Sequence, residues 1–164
     1  MDALQIISST LASEFSDLSN IEMGTRVTLR LLLAALLGGL LGFERESQGQ
    51  AAGIRTHMLV ALGAALFVVV PEQSGAMEDA MSRVIQGVVA GVGFLCAGTI
   101  LKSDNASLKS DNAGQIRGLT TAAGLWLTAA MGVAIGMGYE ATAVLSTFLA
   151  LAVLHLLPYL IGRK

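Results

Sequence analysis

Apolar residues fall into five long runs along the chain, and short polar or glycine-containing segments separate them. A helix needs about 20 mainly apolar residues to cross the hydrocarbon core of a bilayer. The runs therefore predict membrane-spanning helices at about 20–43, 56–70, 84–101, 119–137 and 141–157. The second and fifth runs are the shortest, so a four-span bundle with one re-entrant segment is the alternative.

The N-terminal segment carries a single apolar stripe at helical spacing. Its members recur at intervals of three and four residues: Leu4, Ile7, Leu11, Phe15 and Leu18. This spacing predicts an amphipathic helix that lies on the membrane surface or packs on the bundle. Ser19 and Glu22 have the spacing of a capping box, which starts the first span near Asn20. We predict an all-α polytopic membrane helix bundle, with an amphipathic segment at 1–19 and a transmembrane domain at 20–164.

Composition agrees with a membrane protein and removes several functional classes. Hydrophobic residues make up 54% and charged residues 13% of the 164, whereas a soluble domain carries about 25% charge. The net charge of −2 gives no basis for nucleic-acid binding. The single cysteine, Cys96, lies in an apolar run, which excludes a disulfide framework and a thiolate metal cluster. We expect no metal and no cofactor.

The distribution of basic residues predicts the orientation in the membrane. With five spans, seven of the ten Lys and Arg residues fall on one side: Arg45, Arg55, Lys102, Lys109, Arg117, Arg163 and Lys164. The positive-inside rule places that side in the cytoplasm. The sequence therefore predicts an external N-terminus and a cytoplasmic C-terminus, in a bacterial inner membrane.

A polar segment between the first two spans, Glu44–His57, concentrates ionisable groups at a membrane edge, where they are functional candidates. The candidate charged residues are Glu44, Arg45, Glu46, Arg55, His57 and Arg117, and polar candidates at the helix mouths are Thr56, Thr120 and Thr121. We predict that Glu44, Arg45, Arg55 and Arg117 form one charged network. The alternative is that these charges only anchor helix ends in the lipid headgroups.

Three glycine pairs and one arginine stand out inside the predicted spans. The pairs have GxxxG spacing, which lets helices approach closely: Gly38 with Gly42, Gly87 with Gly91, and Gly132 with Gly136. We expect contacts within the chain, with a homo-oligomer seam as the alternative. Arg30 is an intramembrane charge, expected to snorkel to the outer interface rather than to pair with an acid such as Glu78 or Asp79.

The connector after the third span contains a duplicated tetrapeptide, Lys-Ser-Asp-Asn, at 102–105 and 109–112. Asp and Asn oxygens suit a hard cation. However, the neighbouring lysines and the lack of a coordinating Glu favour turns in a solvated loop. We therefore predict no metal site there.

Four blocks of sequence resemble the MgtC/SapB family of bacterial inner-membrane proteins. They are GFERE at 42–46, AGIRTHMLVALG at 52–63, GFLCAGTIL at 93–101 and IRGLTTAAGLW at 116–126, in this order. The resemblance covers about residues 25–140. It implies a multi-pass protein with roles in magnesium limitation, survival inside host cells (virulence) and modulation of membrane machines such as the rotary ATP synthase. Many relatives continue into a small soluble domain, and this chain is expected to be a short form without it.

Three functions of different classes follow from these observations. The first is a regulatory, non-enzymatic protein that binds a membrane-protein partner through helix contacts. The second is a transporter or channel for a small ion or solute with a charged cytoplasmic mouth, although the spans carry no acid near the midplane. The third is an intramembrane enzyme, for which His57 beside Thr56 is the only indication.

Overall fold

The structure, a computed structural model, describes residues 3–16, 18, 20–107 and 118–160, with side chains outside 101–107 and 157–160. Within these ranges the chain forms six helices and no strands. The helices are α1 (Ala3–Glu14), α2 (Ile21–Ser47), α3 (Ile54–Gln73), α4 (Glu78–Ser107), α5 (Leu119–Gly136) and α6 (Glu140–Leu160).

The helices form a multi-pass membrane bundle. Among the described residues, four helices are long and apolar enough to cross a membrane: α2, α3, the Glu78–Ile100 part of α4, and α5. The part of α6 whose side chains are described, Glu140–Leu156, is a shorter apolar helix. The predicted all-α membrane fold is therefore confirmed, whereas a fifth crossing through α6 stays a prediction.

The start of α2 depends on a side-chain cap. The Asn20 side-chain oxygen accepts a hydrogen bond from the Glu22 amide at 3.0 Å, which satisfies one of the free N–H groups of the first helical turn. The first span begins at Ile21, close to its predicted start. The cap comes from Asn20, one residue after the predicted Ser19.

Several helices extend beyond the apolar runs that predicted them. α2 continues to Ser47, so Glu44 and Arg45 belong to its last turn. α4 begins at Glu78, where two acidic residues suit the positive end of the helix dipole. It continues through 102–105, so the first copy of the tetrapeptide is helical and the prediction of a loop is wrong there. The second copy lies outside the described residues.

Glycines of α2 and α5 bring these two helices close to α3. A Cβ atom on Gly42 of α2 would lie 2.6 Å from the Ile54 Cα, and one on Gly136 of α5 would lie 2.7 Å from the Val68 Cβ. Gly38 and Gly132 meet α3 in the same way. These two GxxxG pairs therefore lie at contacts within the chain, where dispersion contacts accumulate.

The third glycine pair does not pack as expected. A Cβ atom on Gly87 or Gly91 would meet no atom within 4 Å. α4 leans mainly on α5 and touches α3 less. Its glycines consequently face open space beside α3, instead of a close helix contact.

An apolar core separates the two ends of the bundle. Its buried members come from four helices: Ala34, Leu37, Leu41, Ala61, Ala65, Met131, Ile135, Ala143 and Ala150. α1 lies apart, since none of its residues is buried and it packs on no other described helix. Its apolar stripe, including Leu4 and Leu11, is exposed, as a helix on a membrane surface would require.

Candidate functional site

The hinge between α2 and α3 folds back onto the start of α5. A Glu46 carboxylate oxygen accepts a hydrogen bond from the Ile54 amide at 2.9 Å, which caps α3. The Thr121 hydroxyl donates to the Gln50 side-chain oxygen at 3.0 Å, which joins the hinge to α5. We call the polar residues gathered here the hinge cluster: Glu44, Arg45, Glu46, Gln50, His57 and Thr121.

Three ionisable members of the hinge cluster are buried. Glu44 is 9% exposed, Arg45 is 5% exposed and His57 is not exposed at all. The Arg45 guanidinium lies 3.5 Å from the Glu44 carboxylate. The His57 Nδ1 lies 2.9 Å from the Gly53 carbonyl oxygen, an acceptor, so this nitrogen carries the proton. The other ring nitrogen, Nε2, faces α5, where a Cβ on Gly124 would lie 3.6 Å away.

Each of these three side chains keeps one buried polar atom without a hydrogen-bond partner in the described part of the chain. The atoms are Glu44 Oε1, Arg45 Nε and His57 Nε2. An unsatisfied buried group costs about 1–3 kcal/mol, and native proteins carry few of them. The hinge cluster therefore offers two acceptors and one donor that can bind a small polar species or a proton.

The predicted four-residue charged network is not assembled as expected. Within the described residues, no ion pair of 4.0 Å or less joins Arg55 to Glu44, and Arg55 is exposed. Arg55 and His57 are two residues apart on α3 and therefore do not share a face. Arg55 lies on the side of α4, whereas His57 is buried against α2 and α5. Arg117 lies outside the described residues. What remains of the predicted network is the contact between Glu44 and Arg45.

A groove lies between α3 and α4 and begins beside the hinge. We call it the α3–α4 groove; it has a volume of about 750 Å³, and Arg55 and Thr56 are the polar residues of its lining. Gly63 of α3 and Gly87 and Gly91 of α4 line its apolar length. Thr120, another predicted polar residue, is exposed at the start of α5.

Arg30 does not snorkel, and that prediction is wrong. The side chain is 8% exposed and forms ion pairs with Glu72 at the end of α3 and with Glu140 at the start of α6. It also donates to the Gly136 carbonyl oxygen at 2.8 Å. A guanidinium with three acceptors is cheaper to bury than a guanidinium without partners. We call Arg30, Glu72, Glu140 and Gly136 the Arg30 cluster.

Sequence reasoning missed the acids of the Arg30 cluster although a signal was present. Glu72 follows one apolar run and Glu140 precedes another, and the span assignment puts both at the same end of the bundle as Arg30. Matching an intramembrane arginine to acids at its own depth would have found them. The contacts of Gln50 and Gly124 have no such signal, because the hinge conformation brings Gln50 to the cluster and helix packing brings Gly124 there.

The only indication of an enzyme also loses support. Thr56 lines the α3–α4 groove, whereas His57 is buried beneath the hinge and its Nδ1 is bonded to the Gly53 carbonyl. A nucleophile and its base need to be within hydrogen-bond reach. The two neighbouring residues instead serve different surfaces of α3.

Comparison with known proteins places the chain in a family. The sequence model of the MgtC family matches residues 31–162, which include the hinge cluster and the helices around it. This chain belongs to the MgtC family. The predicted resemblance is thereby confirmed, and with it the assignment to a family of membrane proteins. No solved structure matches the chain.

Individual relatives share a third to a half of their aligned residues with this chain. Protein SrpB of Synechococcus elongatus is 47% identical over 78% of the chain and 72% of its own length. The "Putative magnesium transporter YhiD" of Escherichia coli K12 is 38% identical over 87% of the chain and 66% of its own length. Protein MgtC of Brucella abortus is 43% identical over 78% of the chain, which spans half of that relative.

Proposed function

We propose that this MgtC-family chain is a regulatory, non-enzymatic membrane protein that binds another membrane protein during magnesium limitation or host stress. The observation that carries the proposal is the uncovered state of α4. Only 6% of its apolar window is buried within the chain, against 33% to 61% for α2, α3 and α5. A membrane helix with so little intrachain cover is available to a partner.

The outer face of α4 has the chemistry of a membrane helix interface. Gln86, Ala90, Gly93 and Ala97 recur at intervals of four, three and four residues, and all four are exposed. We call these residues the α4 outer face. Small residues let a second helix approach, and a glutamine amide forms hydrogen bonds between helices in lipid. Gln86 lies about 12 Å along the helix from Glu78, well inside the apolar window, so its amide gains from a partner.

The apolar core favours regulation over conduction. Glu44 of the hinge cluster lies in the last turn of α2, and Arg30 lies about 21 Å from it along the same helix. Between them, Ala34 and Leu41 are at most 1% exposed, and no charged residue occurs in 31–43. A path for a hydrated ion needs polar groups along its length.

In-cell photo-crosslinking tests this proposal. A photoreactive residue at Ala90 should crosslink to one membrane protein in cells grown at low magnesium, and the same residue at Leu36 on the exposed side of α2 should not. Gln86→Leu should lower both the crosslink yield and growth at low magnesium, because it removes the interhelical hydrogen bonds. A crosslink pattern that is equal at both positions, or growth that is unaffected by Gln86→Leu, would contradict the proposal.

The hinge cluster supports a second candidate, a carrier for a small ion or solute. The specific observations are its three unpartnered buried atoms and the similarity of the chain to YhiD, which is described as a putative magnesium transporter. Purified protein in liposomes distinguishes the two functions. A magnesium flux that falls in both Glu44→Gln and His57→Leu would establish the carrier. The absence of magnesium flux with folded protein would support the regulator.

A further inference from the structure

No residue that the structure describes fills the α3–α4 groove. Its lining is apolar from Leu59 to Phe67 on α3 and from Val84 to Leu95 on α4. Gly63, Gly87 and Gly91 leave it deep, since Cβ atoms on these residues would meet nothing within 4 Å. Apolar cavities of this kind do not hold water well. Inside a bilayer the groove therefore takes an apolar occupant.

The dimensions of the groove suit a long, narrow occupant. Residues 55–67 of α3 extend over about 18 Å at helical rise. The volume of about 750 Å³ then corresponds to a mean cross-section of about 40 Å². A flexible hydrocarbon chain is narrow enough to enter a groove of this shape.

The polar residues of the groove indicate in which direction the hydrocarbon chain lies. Arg55 and Thr56 stand at the hinge end of the groove, and both side chains are exposed. Arg55 has no ion pair with an acid within 4.0 Å among the described residues. The Glu46 carboxylate occupies the Ile54 amide, so an anion would bind the Arg55 guanidinium and the Thr56 hydroxyl. Guanidinium groups bind phosphate through paired, charge-assisted hydrogen bonds.

The length of the groove also matches one leaflet. The hydrocarbon core of a bilayer is about 30 Å thick, so one leaflet contributes about 15 Å. A groove of about 18 Å that starts at a membrane-edge arginine therefore follows one leaflet from the headgroups toward the midplane. Basic sites between transmembrane helices are suited to anionic headgroups for the same electrostatic reason.

We propose that the α3–α4 groove binds one anionic glycerophospholipid, with an acyl chain along Gly63, Gly87 and Gly91 and the phosphate on Arg55 and Thr56. The lipid fills the space that α4 leaves beside α3, and so it sets the position of α4 against the bundle. This site lies on the opposite side of α4 from the α4 outer face, and it does not depend on the proposed regulatory function.

Native mass spectrometry of the detergent-purified full chain tests the site. Titration with phosphatidylglycerol should show one lipid bound more tightly than the others. Arg55→Gln should weaken this binding about tenfold, because it removes a charge-assisted contact with the phosphate, and should change phosphatidylcholine binding little. Arg83→Gln, which removes an exposed charge from the other end of α4, is the matched control and should bind as the unmodified chain does. Glycerol phosphate alone should not bind measurably, which separates a lipid site from a phosphate site.

Filling the groove provides an independent test. Gly87→Leu adds a side chain where nothing lies within 4 Å, and should weaken the binding of both lipids by tenfold or more. Gly63→Leu should do the same from the α3 side. Gly93→Leu adds the same side chain on the α4 outer face and should leave lipid binding unchanged. Circular dichroism and size-exclusion profiles identify any variant that does not fold.

Three results would overturn the lipid site. Equal binding of phosphatidylglycerol and phosphatidylcholine by the unmodified chain would remove the role of Arg55. Undiminished lipid binding in folded Gly87→Leu and Gly63→Leu would place the lipid elsewhere. A lipid-free dimer that Gly87→Leu dissociates would show that a second copy of the chain covers the groove.

Discussion

At the scale of single residues, buried charge is the feature that distinguishes this protein from an ordinary apolar bundle. Arg30 is nearly enclosed and has acids from two other helices around it, so one side chain ties α2, α3 and α6 together. Removing one partner of a buried ion pair is costly, since the remaining charges keep their desolvation penalty. The Arg30 cluster therefore holds α2, α3 and α6 together at its end of the bundle.

These buried ion pairs predict that Arg30→Met lowers the stability of the protein strongly. We expect a loss of about 3 kcal/mol in the free energy of unfolding, the low end of the range for a broken buried pair, because Glu72 and Glu140 are themselves partly exposed. Arg26→Met is the matched control. Arg26 pairs with Glu22 on the exposed surface of the same helix, and its loss should cost less than about 1 kcal/mol. Unfolding in detergent measured by circular dichroism gives both values, and equal losses would show that burial adds nothing.

Gly138 lies against the Arg30 guanidinium, which occupies the space that a Cβ atom would need. It has a positive φ of +84°, and a Cβ atom there would lie 2.5 Å from an Arg30 guanidinium nitrogen. We expect Gly138→Ala to destabilise the protein by more than the roughly 1–2 kcal/mol of left-handed strain. Gly75→Ala is the control, since Gly75 has a similar φ of +72° and nothing within 4 Å.

A double variant isolates the steric part of the Gly138 effect. In an Arg30→Met background the guanidinium is gone, so Gly138→Ala should cost only about as much as Gly75→Ala. Thermal unfolding of the four proteins measures the coupling. An unchanged cost of Gly138→Ala in that background would show that Arg30 is not what the added methyl meets.

At the scale of helices, glycine has different structural roles at two positions of the bundle. Gly42 allows α2 to touch the α3 backbone, whereas Gly91 lines open space. Alanine is favoured over glycine within a helix by about 0.5–1 kcal/mol. Context therefore decides the sign of the substitution.

We expect Gly91→Ala to be neutral or to stabilise the protein by up to about 1 kcal/mol. Gly42→Ala should destabilise it by about 1–3 kcal/mol, because its Cβ would lie 2.6 Å from the Ile54 Cα and the helices would have to separate. Denaturant unfolding in the same detergent compares the two variants. Stabilisation by Gly42→Ala would show that α2 and α3 are not in backbone contact.

The positions of the helices were predictable from the sequence where the hydrocarbon of the membrane requires an apolar helix. Apolar runs located each of the long helices, since only a helix satisfies its own backbone in lipid. Helix ends were less predictable, because residues such as Glu44 and Glu78 continue a helix outside the apolar run. Within the candidate site, the burial of His57 beside Gly124 and the turn of Arg55 toward α4 depend on how three helices pack, which one sequence does not specify.

At the scale of the whole molecule, two polar ends are held apart by an apolar middle. The hinge cluster and the Arg30 cluster both join three or more segments of the chain, so each end is stiffened by hydrogen bonds or ion pairs. α3 contributes His57 to one end and Glu72 to the other, while α4 has little intrachain cover. Motion or docking of α4 can therefore occur without disrupting either polar end.

The orientation of this molecule in the membrane stays a prediction that cysteine labelling can decide. Ser47 at the end of α2 and Ser74 at the end of α3 are both exposed, and the 20 residues of α3 separate them by about 30 Å, the thickness of the hydrocarbon core. A full crossing by α3 therefore puts them on opposite faces of the membrane. The excess of lysine and arginine on the hinge side predicts that Ser47 is cytoplasmic. In a Cys96→Ala background, an impermeant maleimide should label Ser74→Cys in intact cells and Ser47→Cys only after permeabilisation. Labelling of Ser47→Cys alone in intact cells would reverse the orientation, and labelling of both would contradict a full crossing by α3.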